Sequence, residues 1–187
     1  MKRQILINNL NHLLHKQLIQ VTVLNELDDD LLVWKSVSNS WSILECAEHL
    51  NLYFDFYIPE IERCLAISKE NSYSDFKSGI IGSYFIKLIK PSVRSNKMKT
   101  VADMNPNGRV LNRTVLNKLQ SNLLAFQTLL QKAQDYDLNR VKTHISISKF
   151  IKLKLGDTLS FVVHHNERHF KQMNNILEQY KIQSPIF

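Results

Sequence analysis

Residues 158–180 read TLSFVVHHNERHFKQMNNILEQY, and their periodicity decides the fold. Val162, His165, His169, Gln172, Met173, Ile176 and Tyr180 recur at spacings that an α-helix gathers along one side. Two other stretches keep the same rhythm. Residues 3–27 carry Ile5, Leu6, Leu10, Leu13, Leu14, Leu18, Val21 and Leu24, and residues 113–134 carry Val115, Leu116, Leu119, Leu123, Phe126, Leu129 and Leu130. Between them, Ser42-Ile43-Leu44-Glu45 spells a capping box, in which the serine hydroxyl accepts an early helical amide and the glutamate reaches back. The helix it opens is expected to run to about Ile67, with Pro59 removing one backbone hydrogen bond, and Trp41 and Cys46 stand at hydrophobic-staple positions.

Four long amphipathic helices in 187 residues predict an all-α fold, a four-helix up-and-down bundle forming one domain over 1–187. Only 4 Gly and 4 Pro leave too few turn-makers for a many-stranded sandwich or barrel, and no glycine-rich phosphate loop is present. Residues 69–112, punctuated by Gly79, Gly82, Pro91, Pro106 and Gly108, form a long, partly structured connection between the second and third helices, with a short helix expected near Ile80 to Ile89. Gly156-Asp157 reads as a break and N-cap ahead of the last helix.

At 44% hydrophobic and 22% charged, the chain is too apolar for intrinsic disorder. It has no apolar run near the roughly 18 residues of a membrane span, and its start is broken by Asn, His and Lys, so no membrane and a cytoplasmic location are expected. Cys46 and Cys64, 18 residues apart on one helix and so about 27 Å from each other, should be reduced and buried. The net charge of +7 comes largely from two stretches that read as solvated connections. One is 69–100, with Lys69, Lys77, Lys87, Lys90, Arg94, Lys97 and Lys99; the other is 140–155, with Arg140, Lys142, Lys149, Lys152 and Lys154. No platform of aromatic and basic residues accompanies that charge, so nucleic acid is not the expected partner.

His165 and His169, at i and i+4, lie on one helical face, and that face is otherwise apolar. Buried imidazoles need compensation. His49 on the second helix, near Glu45, Cys46, Leu52, Tyr53 and Phe56, offers it, and parallel second and fourth helices would set all three rings at a similar depth. Three protein nitrogens would hold a divalent metal and leave positions open for water or substrate. The alternative is a polar layer of separately satisfied histidines in a non-catalytic binding or structural protein. Glu45 either orients His49 or serves the capping box, and Gln172 either orients His169, touches substrate or packs. His164 falls one step off the face, and His12, His15 and His144 find no third partner.

Two blocks, Trp41-Ser42-Ile43-Leu44-Glu45 with Glu48-His49-Leu50 and His165-Asn166-Glu167-Arg168-His169 with Phe170-Lys171-Gln172-Met173, resemble the DinB-like superfamily. That superfamily includes YfiT-like metal-dependent hydrolases and thiol-dependent S-transferases. The resemblance spans about residues 5–180 and implies a divalent ion, zinc or nickel, on His49, His165 and His169, together with a homodimer. The expected function is a metal-dependent hydrolase or thiol S-transferase acting on a small-molecule substrate. With parallel helices, Arg140, Lys142, Lys149, Lys152 and Lys154 would rim the pocket mouth and favour an anionic substrate or a low-molecular-weight thiol.

Overall fold

The computed structural model describes residues 1–70, 75–90 and 100–183, apart from the Lys149 side chain; Pro91, Arg94, Lys97 and Lys99 lie outside the described residues. Among the described residues, six α-helices and one hairpin follow in chain order: α1 (Arg3–Asn25), α2 (Asp29–Val33), α3 (Ile43–Ala66), α4 (Ile80–Ile89), α5 (Thr114–Lys132), β1 (Lys142–Ile145), β2 (Ser148–Lys154) and α6 (Leu155–Gln183). The four long helices pack side by side, with α1 and α3 each flanked by α5 and α6. Leu10, Leu14, Leu50, Phe54, Leu119, Phe126, Leu159 and Val163 fill the space between them.

Local chemistry explains the helix ends. Ser42 accepts the Glu45 N–H and Glu45 accepts the Ser42 N–H at 2.8 Å, so the capping box is formed, and α3 continues unbroken through Pro59. The first amides of α6 donate to the carbonyls of Val141 and Leu138, so that helix begins directly where β2 ends. Asp157 does not cap α6, contrary to the sequence expectation. It lies inside the first turn, and its carboxylate accepts Ser78 Oγ at 2.5 Å and the Gly79 N–H at 2.9 Å, joining α6 to the start of α4. Gly82 permits this join, because a Cβ there would strike the Asp157 side chain.

Strict up-and-down alternation is not what the chain adopts. Trp41 lies over His169, His49 over His165 and His169, Tyr53 over His165 and Phe161, and Tyr57 over Phe161, so α3 and α6 run antiparallel. Gln17 bonds the Val163 carbonyl while Trp34, beyond the end of α1, meets Tyr180, so α1 and α6 are parallel. Arg113, just ahead of α5, bonds the Asn25 and Leu27 carbonyls at the end of α1, and Gln120 reaches Thr22, so α1 and α5 are antiparallel. The order is therefore up, down, down, up. The long connection of residues 67–113 has the reach to carry the chain back to the end where α3 started.

Residues 142–154 correct the expectation of a solvated basic connection, within a chain that is otherwise mostly helical. They form an antiparallel hairpin with a two-residue turn, Ser146-Ile147, and an irregular register after His144↔Lys152. Alternation sets its faces: Thr143, Ile145 and Leu153 are buried while Lys142 and Lys152 are exposed. The hairpin packs beside the second half of α3, where the Cys64 thiol donates to the Lys142 carbonyl and Glu60 accepts the His144 N–H. Both cysteines are free and buried, as expected. No described helix is long and apolar enough to cross a membrane.

Candidate metal centre

Antiparallel packing still brings the three imidazoles together, because α6 is 29 residues long and overruns the start of α3. Its middle, and not its first turns, lies beside His49. The ring centroids of His49, His165 and His169 are 4.5, 4.7 and 5.1 Å apart in pairs, and one nitrogen of each lies within 4.8 Å of the others. All three side chains are buried.

Hydrogen bonds fix which nitrogen faces inward. His49 Nδ1 is 2.6 Å from the Met104 carbonyl, an acceptor only, so it carries the proton and Nε2 presents a lone pair. His169 Nδ1 is 3.0 Å from Gln172 Oε1, which leaves its Nε2 bare in the same way. His165 Nε2 stands 3.3 Å from His49 Nε2, and its buried Nδ1 has no partner. Burial lowers the pKa of His49 to about 4, against the opposing pull of Met104, and holds His165 and His169 well below the ordinary imidazole range, helped by their neighbouring imidazoles. Three neutral rings thus share one buried spot.

That donor set suits a divalent cation. Two inward lone pairs, and a third ring able to offer at most one proton between them, leave at least one buried acceptor uncompensated, at about 1–3 kcal/mol. A cation would satisfy every lone pair at once. Tetrahedral coordination at metal–nitrogen distances of about 2.0–2.1 Å also sets ligand nitrogens about 3.3–3.4 Å apart, the separation found between His49 and His165.

Gln172 lies within hydrogen-bond reach of the His169 ring. Glu45 does not orient His49. Its carboxylate accepts the Ser42 N–H, the Lys35 ammonium at 2.7 Å and the Gly108 N–H, so it binds the 105–109 loop to the start of α3. An ion pair from Arg109 to Glu48 holds the same loop. Together these contacts secure the neighbourhood of Met104, whose carbonyl is the group that orients His49. No side-chain pattern could reveal a backbone acceptor. Trp41 covers the centre from one side, 4.8 Å from His49 and 5.9 Å from His169, while Tyr53 and Phe161, themselves in contact, pack on His165 at 4.1 and 5.7 Å. His164 pairs with Glu167, His144 pairs with Glu60, and His12 and His15 are exposed.

The expected basic rim is displaced with the helix direction. Arg140, Lys142, Lys152 and Lys154 belong to the hairpin end of the molecule, beside residues 57–64 of α3, whereas His49 lies about 12 Å or more along that helix. A larger surface groove lined by Lys16, Gln17, Glu167, Phe170, Lys171 and Asn174 opens between α1 and α6. At 100° per residue those α6 positions point away from the histidine face, so this groove is no part of the centre.

The chain belongs to the DinB superfamily, whose family profile matches residues 19–173. No curated protein and no solved structure matches it.

Proposed function

We propose that His49, His165 and His169 hold one divalent metal ion, zinc or nickel, and that the protein is a metal-dependent hydrolase or thiol S-transferase acting on a small molecule. The observation that carries this reading is the convergence of three buried imidazole nitrogens within 4.8 Å, two of them aimed by hydrogen bonds on the opposite ring nitrogen. Membership of the DinB superfamily supports it. Bound there, the ion would supply Lewis-acid chemistry, activating a water or a thiol toward an electrophile.

The protein's own residues do the rest. The Met104 carbonyl and Gln172 hold the Nδ1 protons and keep the rings from turning. Trp41, Tyr53 and Phe161 exclude bulk water and keep the site apolar, which strengthens every charge interaction inside it. Glu45 stays with Lys35 and the capping box, apart from the reacting groups.

Metal content of protein purified without an affinity tag tests the proposal. One equivalent of zinc or nickel per chain, lost in His49→Ala, is the expected result. A protein that takes up neither ion on titration, with His49→Ala equally stable, would favour the polar-layer alternative.

A further inference from the structure

The hairpin side of the molecule carries apolar side chains that no described residue covers. α4 packs on α6, with Gly82 against Asp157 and Phe85 edge-on to Phe161. Yet its sequence, IIGSYFIKLI, is apolar nearly all round. A helix of that kind belongs inside a core or against lipid, whereas Ile80, Ile81 and Tyr84 face solvent here, Ile80 at 93% of full exposure. The hairpin adds Ile147 at its turn and Phe150 on β2, the latter 97% exposed.

The two elements are neighbours. Phe85 and the turn residue Ile147 wall the same narrow gap, Tyr84 packs edge-on against Phe85 at 5.7 Å, and the Lys154 ammonium reaches the Lys77 carbonyl just ahead of α4. Cations surround them. Lys77, Lys87 and Lys90 lie along or beside α4, and Lys142 and Lys152 on the hairpin; all five are exposed, and none pairs with a described carboxylate. Residues 76–90 and 142–154 contain no Asp or Glu. The acids that touch these segments are already engaged: Glu60 by Arg63 and the His144 N–H, and the buried Asp157 by Ser78 and Gly79.

We infer that this face, the outer ridge of α4 with the hairpin turn and β2, lies on an anionic lipid surface, with Ile80, Tyr84 and Phe150 in the acyl boundary and the lysines among the headgroups. Two features favour a bilayer over a protein partner. Ile80 and Phe150 stand clear of the surface and line no groove, so a rigid partner would need a socket for each, whereas a fluid bilayer closes round them. Charge is also of one sign across both elements, as negatively charged headgroups require. Lysine stems can lie beside the apolar side chains while their ammonium groups stay in the headgroup layer.

Surface contact of this kind needs no spanning segment. The absence of a described helix able to cross a membrane bears on crossing and not on lying against one. The inference is also independent of the metal, since none of these side chains belongs to the histidine centre.

Sedimentation of the full chain with vesicles tests it, using phosphatidylcholine alone and phosphatidylcholine mixed with phosphatidylglycerol, at low and high ionic strength. Binding to the anionic vesicles should exceed that to the neutral ones by at least about tenfold and fall as salt rises. Lys152→Gln should weaken it about fivefold, the usual contribution of one lysine beside a charged bilayer. Phe150→Ser and Ile80→Ser should each weaken it about tenfold or more, at unchanged thermal stability, because both side chains touch little of the fold. Val110→Ser removes an equally exposed side chain beside Arg109, near the start of α3, and should leave binding as it was. No sedimentation with anionic vesicles, or equal binding to both kinds, would overturn the inference. So would Phe150→Ser and Ile80→Ser binding like the parent, which is adsorption by charge alone, or Val110→Ser losing as much as they do. Concentration-dependent self-association abolished by Phe150→Ser, without vesicle binding, would assign the face to a second copy of the chain instead.

Discussion

Replacing Gln172 isolates the contribution of one hydrogen bond to the proposed metal centre. Its Oε1 accepts the His169 Nδ1 proton at 3.0 Å, one helical turn on, and fixes both the tautomer and the tilt of a ring that is otherwise held by packing. Loss of such an orienting partner typically costs about 10–100-fold in metal affinity, or roughly 1.4–2.8 kcal/mol. Gln172→Leu keeps the volume and removes the acceptor, so zinc affinity should fall by that factor. The fold should survive, since Gln172 is only half-buried. Gln172→Glu restores an acceptor, now charged and stronger, and should bind zinc at least as tightly as the unaltered protein. Competition against a chromophoric chelator measures both, with thermal unfolding of the metal-free proteins as the control for a structural effect. A Gln172→Leu affinity within threefold of the parent, at equal metal-free stability, would refute the reasoning.

Three further outcomes follow from contacts outside the histidines. Glu45→Ala should cost about 1–3 kcal/mol in urea unfolding, since the Ser42 N–H is left buried and unpaired, while zinc affinity stays within about threefold; a tenfold loss of affinity at unchanged stability would instead place Glu45 in the site. Gly82→Ala should destabilise by about 1–3 kcal/mol, because the new methyl collides with Asp157, and the Asp157→Ala partner change should relieve part of that loss in a double-mutant cycle. Burial opposes the charge of Glu60, but hydrogen bonds from the His144 backbone, Arg63 and the His144 ring outweigh it and hold the carboxyl below its usual pKa. A depressed carboxylate stabilises the fold above the ordinary value near 4.5 and loses that contribution as pH falls through the lowered one. Glu60→Gln should therefore cost roughly 0.5–1 kcal/mol at pH 7, and the cost should shrink as pH falls below the ordinary carboxylate value.

The helices and the three histidines were legible in the sequence because helical period and capping chemistry act within a few residues. The stripe of 3–24 and the Ser42–Glu45 box fixed α1 and the start of α3 to within a residue or two. Helix direction was not legible. Whether α3 and α6 run parallel depends on where residues 67–113 carry the chain, and no local pattern encodes that. The depth argument that matched His49 with His165 and His169 assumed the wrong direction, and the rings meet because α6 extends past α3 as far as Tyr180 beside Trp34. The hairpin did leave a signal: Thr143, Ile145, Ile147 and later Ile151 and Leu153 alternate with polar residues at period two. Five cations in the same stretch masked it, although Lys142 and Lys152 occupy outward positions on the two strands. The orienting carbonyl of Met104 had no signature at all, being backbone 55 residues from the ring it serves.

Anomalous diffraction from zinc-soaked crystals, collected on both sides of the zinc absorption edge, bears most directly on whether the imidazoles of α3 and α6 form one coordination centre. A single strong peak about 2.0–2.1 Å from a ring nitrogen of each of His49, His165 and His169 is the predicted result. A map with no peak among these three rings, or with zinc bound only at surface histidines such as His12 and His15, would contradict it.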